Sequence, residues 1–295
     1  MANNTVDHMA GIIPIFGREL SIGMPWHDAL TPVAPDYFAI ERAVTECASA
    51  GCDTIWIVGN YDVNPVLKKR IGEVVKDPSF SYGSALFKDC KLIPVFYLLI
   101  DELADKKQNC LSRSLLYGAE VSMEVSKTIS KWAQPTRFYA SFVNAVALEE
   151  ELRKSRKLIK GPKDLYFTKN DQSICDGIFI NFTFNKAHFA EYKKRYLDLA
   201  NDVRTIRVTD LITPKEIFCA LDNDPHDRLE LSQQFDIATW DGYCEYMGSP
   251  LSRQIKKNKS IFTKYKRKSF VQRIELYEEY TKPQYSDGRK NGKNR

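Results

Sequence analysis

Between Ala10 and Asn60 the chain reads as strand, long connection, helix and strand, and this succession restricts it to folds built on a parallel sheet. The first apolar run is Ala10-Gly11-Ile12-Ile13-Pro14-Ile15-Phe16 and the second is Thr54-Ile55-Trp56-Ile57-Val58. Their unbroken hydrophobicity suits strands covered on both faces. The spacing predicts a helix over residues 36–50, with Ile40, Ala43, Val44, Cys47 and Ala48 on one stripe, Asp36 at its start and Gly51 at its end. Residues 17–35 are left as a connection of 19 residues, where strand-to-helix links usually take roughly 2 to 6. In an open parallel sheet that connection emerges at the carboxyl ends of the strands, where ligands bind. A ligand-binding loop and a plain surface insertion both fit its length.

Further along, residues 65–75 read as a short basic helix and 91–100 as a buried strand. Residues 111–131 read as a long helix with Leu115, Leu116, Ala119 and Met123 on one face, 137–143 as a strand and 148–158 as a polar helix. The alternation predicts an α/β fold with a Rossmann-like, doubly wound, mostly parallel sheet. Residues 161–173 read as a polar connection, 177–184 as a strand at the sheet edge, 187–199 as a helix, and 217–221 as helical or irregular. A turn-rich loop over 222–227, a short strand over 235–240 and a helix over 240–247 complete the body. The expected division is an α/β domain over 9–252, a basic amphipathic helical extension over 253–280 carrying Phe262, Tyr265, Val271, Ile274 and Tyr277, and a disordered tail over 281–295.

The net charge of +5 conceals an asymmetry. From Arg253 onward there are 14 Lys and Arg against 4 Asp and Glu, whereas residues 1–252 hold 29 against 34. The basicity belongs to the tail and the body is mildly acidic, which argues against a nucleic-acid-binding body. Within the tail, Lys256, Lys257, Lys264, Lys266, Arg267 and Lys268 are candidates for contact with a nucleic acid or an acidic protein; docking on the acidic body is the competing role. The seven cysteines form no C-x-x-C pair and mostly sit in apolar runs, which fits reduced thiols, and the four histidines show no ligand spacing. With no run of roughly 18 apolar residues and no signal-peptide pattern, a cytoplasmic protein without a membrane partner is expected.

The opening segment resembles the amino-terminal half of sugar-phosphate nucleotidylyltransferases and related nucleotide-diphospho-sugar transferases. The residues that carry the likeness are Ile12-Ile13-Pro14-Ile15-Phe16-Gly17-Arg18, Leu30-Thr31-Pro32-Val33, Ile40-Glu41-Arg42-Ala43-Val44 and the stretch from Ala50-Gly51 through Val58. Cys110 to Ala119 looks like the segment that presents backbone to the nucleobase and opens a helix. Residues 137–144 occupy the place of the strand that ends in a metal-binding Asp. Ile237-Ala238-Thr239-Trp240-Asp241-Gly242 is similar to the W-x-D-x-G element that supplies a second metal-binding carboxylate. The likeness touches most of residues 10–247, and its first 50 residues are the most specific.

The resemblance implies attack of a sugar phosphate on the α-phosphorus of a nucleoside triphosphate, with glycine for close backbone approach, cations against developing charge and Mg²⁺ bridging phosphate oxygens. This chain keeps Gly17 and Arg18 of the glycine loop, has Asp28 where the family has lysine, and has Asn144 where the family has the first metal Asp, while Asp241 is retained. The implied roles are phosphate binding and catalysis for Arg18, nucleotide binding for Gly17, Arg18 and Arg113, catalysis with a sugar or metal contact for Asp28, and Mg²⁺ ligation for Asn144 and Asp241. Each has a plain alternative: Arg18 pairing with Glu19, Asp28 or Asp36, His27 and Asp28 in a solvated loop, Trp26 covering that loop, Arg113 exposed on its helix, Asn144 in a strand-end turn, and Asp241 as a helix cap.

The expected function is therefore that of a nucleotidyltransferase-like protein that binds a nucleotide or nucleotide sugar and transfers a nucleotidyl or glycosyl group with Mg²⁺. The alternative is a catalytically inactive copy of the fold that serves binding or assembly through its basic tail. Whether it is an enzyme stays open at this point. The eroded motifs suggest a viral or mobile-element protein, which would place it in a host cytoplasm.

Overall fold

The computed structural model describes residues 8–15, 26–80, 91–100, 110–129, 134–201, 212–219 and 226–262. Its first strand, β1 (Met9–Pro14), is buried at every position, as its unbroken apolar run requires. Part of the long connection has structure of its own. Residues 28–30 form a 3-10 turn, and β2 (Pro32–Ala34) and β3 (Tyr37–Phe38) make a hairpin. Asp36 adopts the left-handed conformation at the hairpin tip (φ 54°), so α1 (Ala39–Ala50) starts three residues later than the acidic residue suggested, and it ends on a left-handed Gly51. β4 (Thr54–Gly59), α2 (Asn64–Ile71), β5 (Val74–Lys76), β6 (Leu92–Leu99), α3 (Leu111–Ile129), β7 (Arg137–Ala140) and β8 (Ala145–Ala147) follow. Then come α4 (Glu149–Lys154), α5 (Arg156–Ile159), β9 (Asp164–Thr168), β10 (Phe182–Asn185), α6 (Phe189–Asn201), α7 (Pro214–Phe218), β11 (His226–Glu230), β12 (Gln234–Asp236), α8 (Trp240–Gly248) and α9 (Pro250–Gln254).

Eight strands form one sheet in the order β11-β9-β10-β7-β1-β4-β6-β5. β1 lies in its middle, parallel to β4 and β7; β4 with β6 and β9 with β11 are also parallel, while β10 and β5 run against their neighbours. Helices cover both faces, and two adjacent residues of β1 show it. A Cβ added to Gly11 would lie 2.9 Å from Cys47 Sγ on α1, whereas Ile12, pointing the other way, is the nearest neighbour of Gly118 on α3. The doubly wound, mostly parallel sheet expected from the sequence is present.

Three expectations are corrected. The strand read at the edge is β10, and it lies inside the sheet between β9 and β7. β9 lies within the expected polar connection 161–173, and β11 starts inside the expected loop 222–227 and runs on past it. β9 is a five-residue buried run inside polar flanks, and β11 is the true edge, with alternating exposure along His-Asp-Arg-Leu-Glu, so charged residues that suit an edge strand hide it from hydrophobic patterning. Cys175 and Cys219 are joined as a disulfide, with Cα atoms 5.2 Å apart, while Cys47, Cys52 and Cys110 are buried free thiols.

Residues 255–262, which follow α9, are not helical, and the rest of the extension expected over 253–280 lies outside the described residues. Residues 255–262 form a strap with Ile255 and Ile261 buried. Lys76 N donates to Ile261 O (2.9 Å), and Lys257 Nζ donates to the buried Glu41 (2.8 Å). The described residues belong to one compact unit within residues 1–263, and residues 264–295 lie outside the described residues. No helix among the described residues is long and apolar enough to cross a membrane.

Candidate functional site

The parallel strands deliver their carboxyl ends to one edge of the sheet, and the turn that leaves β7 is the most constrained structure there. Ser141 N donates to Ile12 O (3.0 Å) and Ala145 N to Phe142 O (3.1 Å), so the chain reverses at residues 143–144 into β8. β12 pairs with β8 in antiparallel register, Asp236 opposite Ala145, and Ile237 N donates to Asn144 O (2.9 Å). Asn144 is buried, and its Nδ2 lies 3.5 Å from Asp28 Oδ2 as donor to acceptor. Asp28 opens the 3-10 turn of the long connection. Two of the residues singled out in the sequence, far apart in the chain, thus meet at the carboxyl edge.

His27 is engaged by the backbone beside Asp28. Its Nδ1 accepts from Ala29 N (3.2 Å) and caps the 3-10 turn. Burial lowers the His27 pKa despite the neighbouring Asp28, and the neutral ring is the form that can accept. Asp241 is exposed in the first turn of α8, and the helix cap is Thr239, whose Oγ1 accepts from Gly242 N (3.1 Å); a cap has to precede the first helical residue, here Trp240. Within this element it is the backbone at Asp236, five positions earlier, that runs beside the turn carrying Asn144. Gly242 explains the tightness of this junction, since a Cβ there would sit 2.1 Å from Asp236 O. Thr239 is a capping residue type, and with the helix starting at Trp240 it leaves Asp236 at the strand end.

Beneath the turn lies a buried polar layer that the sequence did not disclose. Arg42 and Glu46, one helical turn apart on α1, form a fully buried ion pair. Arg42 Nη2 donates to Phe142 O and Val143 O, each at 3.0 Å. Glu46 accepts from Asn181 Nδ2 (3.0 Å), Ser141 Oγ and Ala147 N (both 3.4 Å), and Asn181 Oδ1 accepts from Phe142 N (3.0 Å). Burial raises the Glu46 pKa while Arg42 pulls it down. Beside this layer Tyr37 donates its hydroxyl to Glu149 (2.8 Å), and burial lifts the Glu149 carboxyl to about 7.

Next to Asp236 is a cavity of about 340 Å³ walled by Lys169, Gln172, Ile178, Phe179 and Gln234. Lys169 Nζ donates to Gln234 O and lies 4.8 Å from the centre of the Phe235 ring. Neither Lys169 nor Asp236 stood out in the sequence.

Arg113 sits half-buried in the first turn of α3, which leaves β6 on the same edge. Gly17 and Arg18 lie outside the described residues, as do Lys264, Lys266, Arg267 and Lys268. Lys256 is exposed, whereas Lys257 is turned inward to Glu41 and lies over the Phe262 ring.

The Mg²⁺ expected at Asn144 and Asp241 does not fit these donors. Asn144 offers only an uncharged amide oxygen, its Nδ2 being the group that faces Asp28, Asp241 lies in the exposed first turn of a helix capped by Thr239, and among the described residues no group of three or more His, Cys, Asp or Glu is placed to share an ion. Hard cations of this kind favour anionic oxygen donors.

No protein-family model and no curated protein matches the sequence. Solved structures do. The chain is similar to a Bacillus anthracis protein described as a glucose-1-phosphate thymidylyltransferase, solved with sucrose (TM-score 0.56, 13% identity, 86% of this chain and 98% of that one). It is similar as well to a nucleotidyl transferase from Methanothermobacter (TM-score 0.52, 14% identity, 81% and 95%) and to Rv0371c of Mycobacterium tuberculosis (TM-score 0.50, 15% identity, 83% and 100%). The fold is nucleotidyltransferase-like. The resemblance read over most of residues 10–247 holds, as architecture, over more than four fifths of the chain.

Proposed function

We propose that this nucleotidyltransferase-like protein binds a nucleotide or nucleotide sugar at the carboxyl edge of its sheet. The observation that carries the proposal is the meeting of Asp28, from the connection after β1, with Asn144, from the turn after β7, at the place where ligands bind in open parallel sheets. Gly17 and Arg18 follow β1 within the same connection and would face the phosphates. Arg113, at the start of α3, would approach the base, and the cavity between Lys169 and Asp236 would take the sugar. Polar groups at such a site orient a ligand while the walls supply contact area.

Titration calorimetry with a panel of nucleoside triphosphates and nucleotide sugars, with and without Mg²⁺, is the test. At least one should bind, and Arg18→Ala and Asn144→Ala should each weaken it by roughly tenfold, the loss of one charge-assisted or neutral hydrogen bond. Absence of heat with every member of the panel ends the proposal.

A second reading, a binding or assembly protein that does not transfer the group, is favoured by the neutral Asn144 and the poor donor set. It predicts ligand binding without turnover, and salt-dependent binding of a polyanion that disappears when residues 264–295 are removed. The cut belongs after Thr263, because a cut after Ser252 would also remove the strap that holds Ile255 and Ile261 in the body.

A further inference from the structure

Arg42 and Glu46 are poorly explained as stabilising groups. Both are fully buried, and Arg42 Nε has no hydrogen-bond partner. A buried ion pair of this kind is often no more stabilising than apolar residues of similar volume, and an unsatisfied buried donor counts against it. What the pair does accomplish is geometric. Successive carbonyls of an extended chain point to opposite sides, yet Phe142 O and Val143 O both turn to one guanidinium nitrogen. Only a reversed backbone allows that, and the reversal is the one that presents Asn144. Glu46 closes the other end, because it accepts from Ala147 N and Ser141 Oγ and holds Asn181, which in turn accepts from Phe142 N.

From this geometry we infer that Arg42 and Glu46 are positioning residues whose task is to hold the 141–147 turn so that Asn144 faces Asp28. They act through the turn and touch no ligand themselves. The inference rests on the proposed site only for its consequence in binding; the placement of the turn is a property of the free protein.

The test compares the full chain with the double variant Arg42→Met/Glu46→Leu, which removes the pair at similar volume, and with Arg42→Lys, which keeps the charge but loses the fork. The melting temperature, amide hydrogen exchange at Phe142 and Ala147, and the Asn144 side-chain amide resonances are read in each, together with affinity for whichever nucleotide the wild type binds. The expected result is a melting temperature within a few degrees of wild type, at least tenfold faster exchange confined to the turn, shifted or broadened Asn144 signals and at least tenfold weaker binding. Arg42→Lys should fall between the two. Unchanged exchange and Asn144 signals in folded variants overturn the inference. Should the double variant fail to fold, Arg42→Lys decides by the same readouts, with wild-type exchange counting against. If the wild type binds no nucleotide, the proposed function fails while the exchange and resonance measurements still judge the positioning role.

Discussion

The two faces of α1 are equally buried for different reasons. One face, Ile40, Ala43, Val44, Cys47 and Ala48, is apolar and follows the helical period. The other, Glu41, Arg42, Thr45, Glu46 and Ser49, is polar and just as inaccessible. Glu41 accepts from Phe38 N (3.0 Å) and Lys257 (2.8 Å) and pairs with Arg70, Thr45 Oγ1 donates to Glu41 O (2.9 Å), and Arg42 with Glu46 serves the β7 turn. The apolar face is fastened by area removed from water, which tolerates adjustment. The polar face is fastened by partners, and each lost partner strands a group that water cannot reach. Mutations on the two faces should therefore fail differently.

The largest effect is expected for Glu46→Ala. It leaves the Arg42 guanidinium buried without its counter-ion, which costs about 3–5 kcal/mol. Urea unfolding should show the midpoint falling with little change in slope. A loss under about 1 kcal/mol, the usual value for an exposed pair, would mean that water reaches this face and that the contrast with the apolar face is false.

The next effect is pH-dependent. Glu149, beside the polar layer, has its carboxyl raised to about 7 by burial. The folded protein therefore holds this proton more tightly than the unfolded chain. The stability it contributes is fully present below the ordinary carboxyl pKa of about 4.3 and is lost as pH rises through about 7. The shift corresponds to at most about 4 kcal/mol, and partial exposure reduces it to roughly 1–2. Thermal melts of wild type and Glu149→Gln from pH 4.5 to 8 should diverge with rising pH, the variant losing less because a neutral side chain still accepts from Tyr37. Parallel curves would remove Glu149 from the buried layer.

The contrast between the faces also separates what the sequence disclosed from what it hid. β1, β4 and the inner face of α1 were legible because apolar periodicity reports burial when burial is apolar. The outer face of α1 looks like a solvated surface, since Glu, Arg, Thr and Glu carry the same letters whether they meet water or Asn181 and a peptide carbonyl. β11 failed for a related reason, its charged residues being suited to an edge. Asp28 and Asn144 were found through the family pattern, and the geometry joins them. Asp241 was singled out through its likeness to the W-x-D-x-G element, and only the pairing of β12 with β8 brings Asp236 beside the turn at Asn144. Lys169 sits past the end of a strand that was not recognised, so its place on the cavity wall had no sequence signal.

The smallest effect is expected on the apolar face, at the closest approach of α1 to the sheet. Gly11 gives β1 no side chain toward α1, and an added Cβ would meet Cys47 Sγ at 2.9 Å, Cys52 Sγ at 3.0 Å and Cys47 Cβ at 3.1 Å. These contacts are short, but two of the three are with thiol groups that can rotate, so Gly11→Ala should cost about 1 kcal/mol, the low end for overpacking. The cost should also be recoverable. Cys47→Ala alone opens a small void and destabilises modestly, yet in the double variant Gly11→Ala/Cys47→Ala the new methyl occupies the space the thiol leaves. The double-mutant cycle should therefore give a favourable coupling of at least about 0.5 kcal/mol, beyond the usual error of additivity. No comparable swap exists for Glu46, whose removal no apolar neighbour can offset while Arg42 remains. Strict additivity at Gly11 and Cys47 would show that the helix moves away from the sheet as a body, and the apolar face would then be no more forgiving than the polar one.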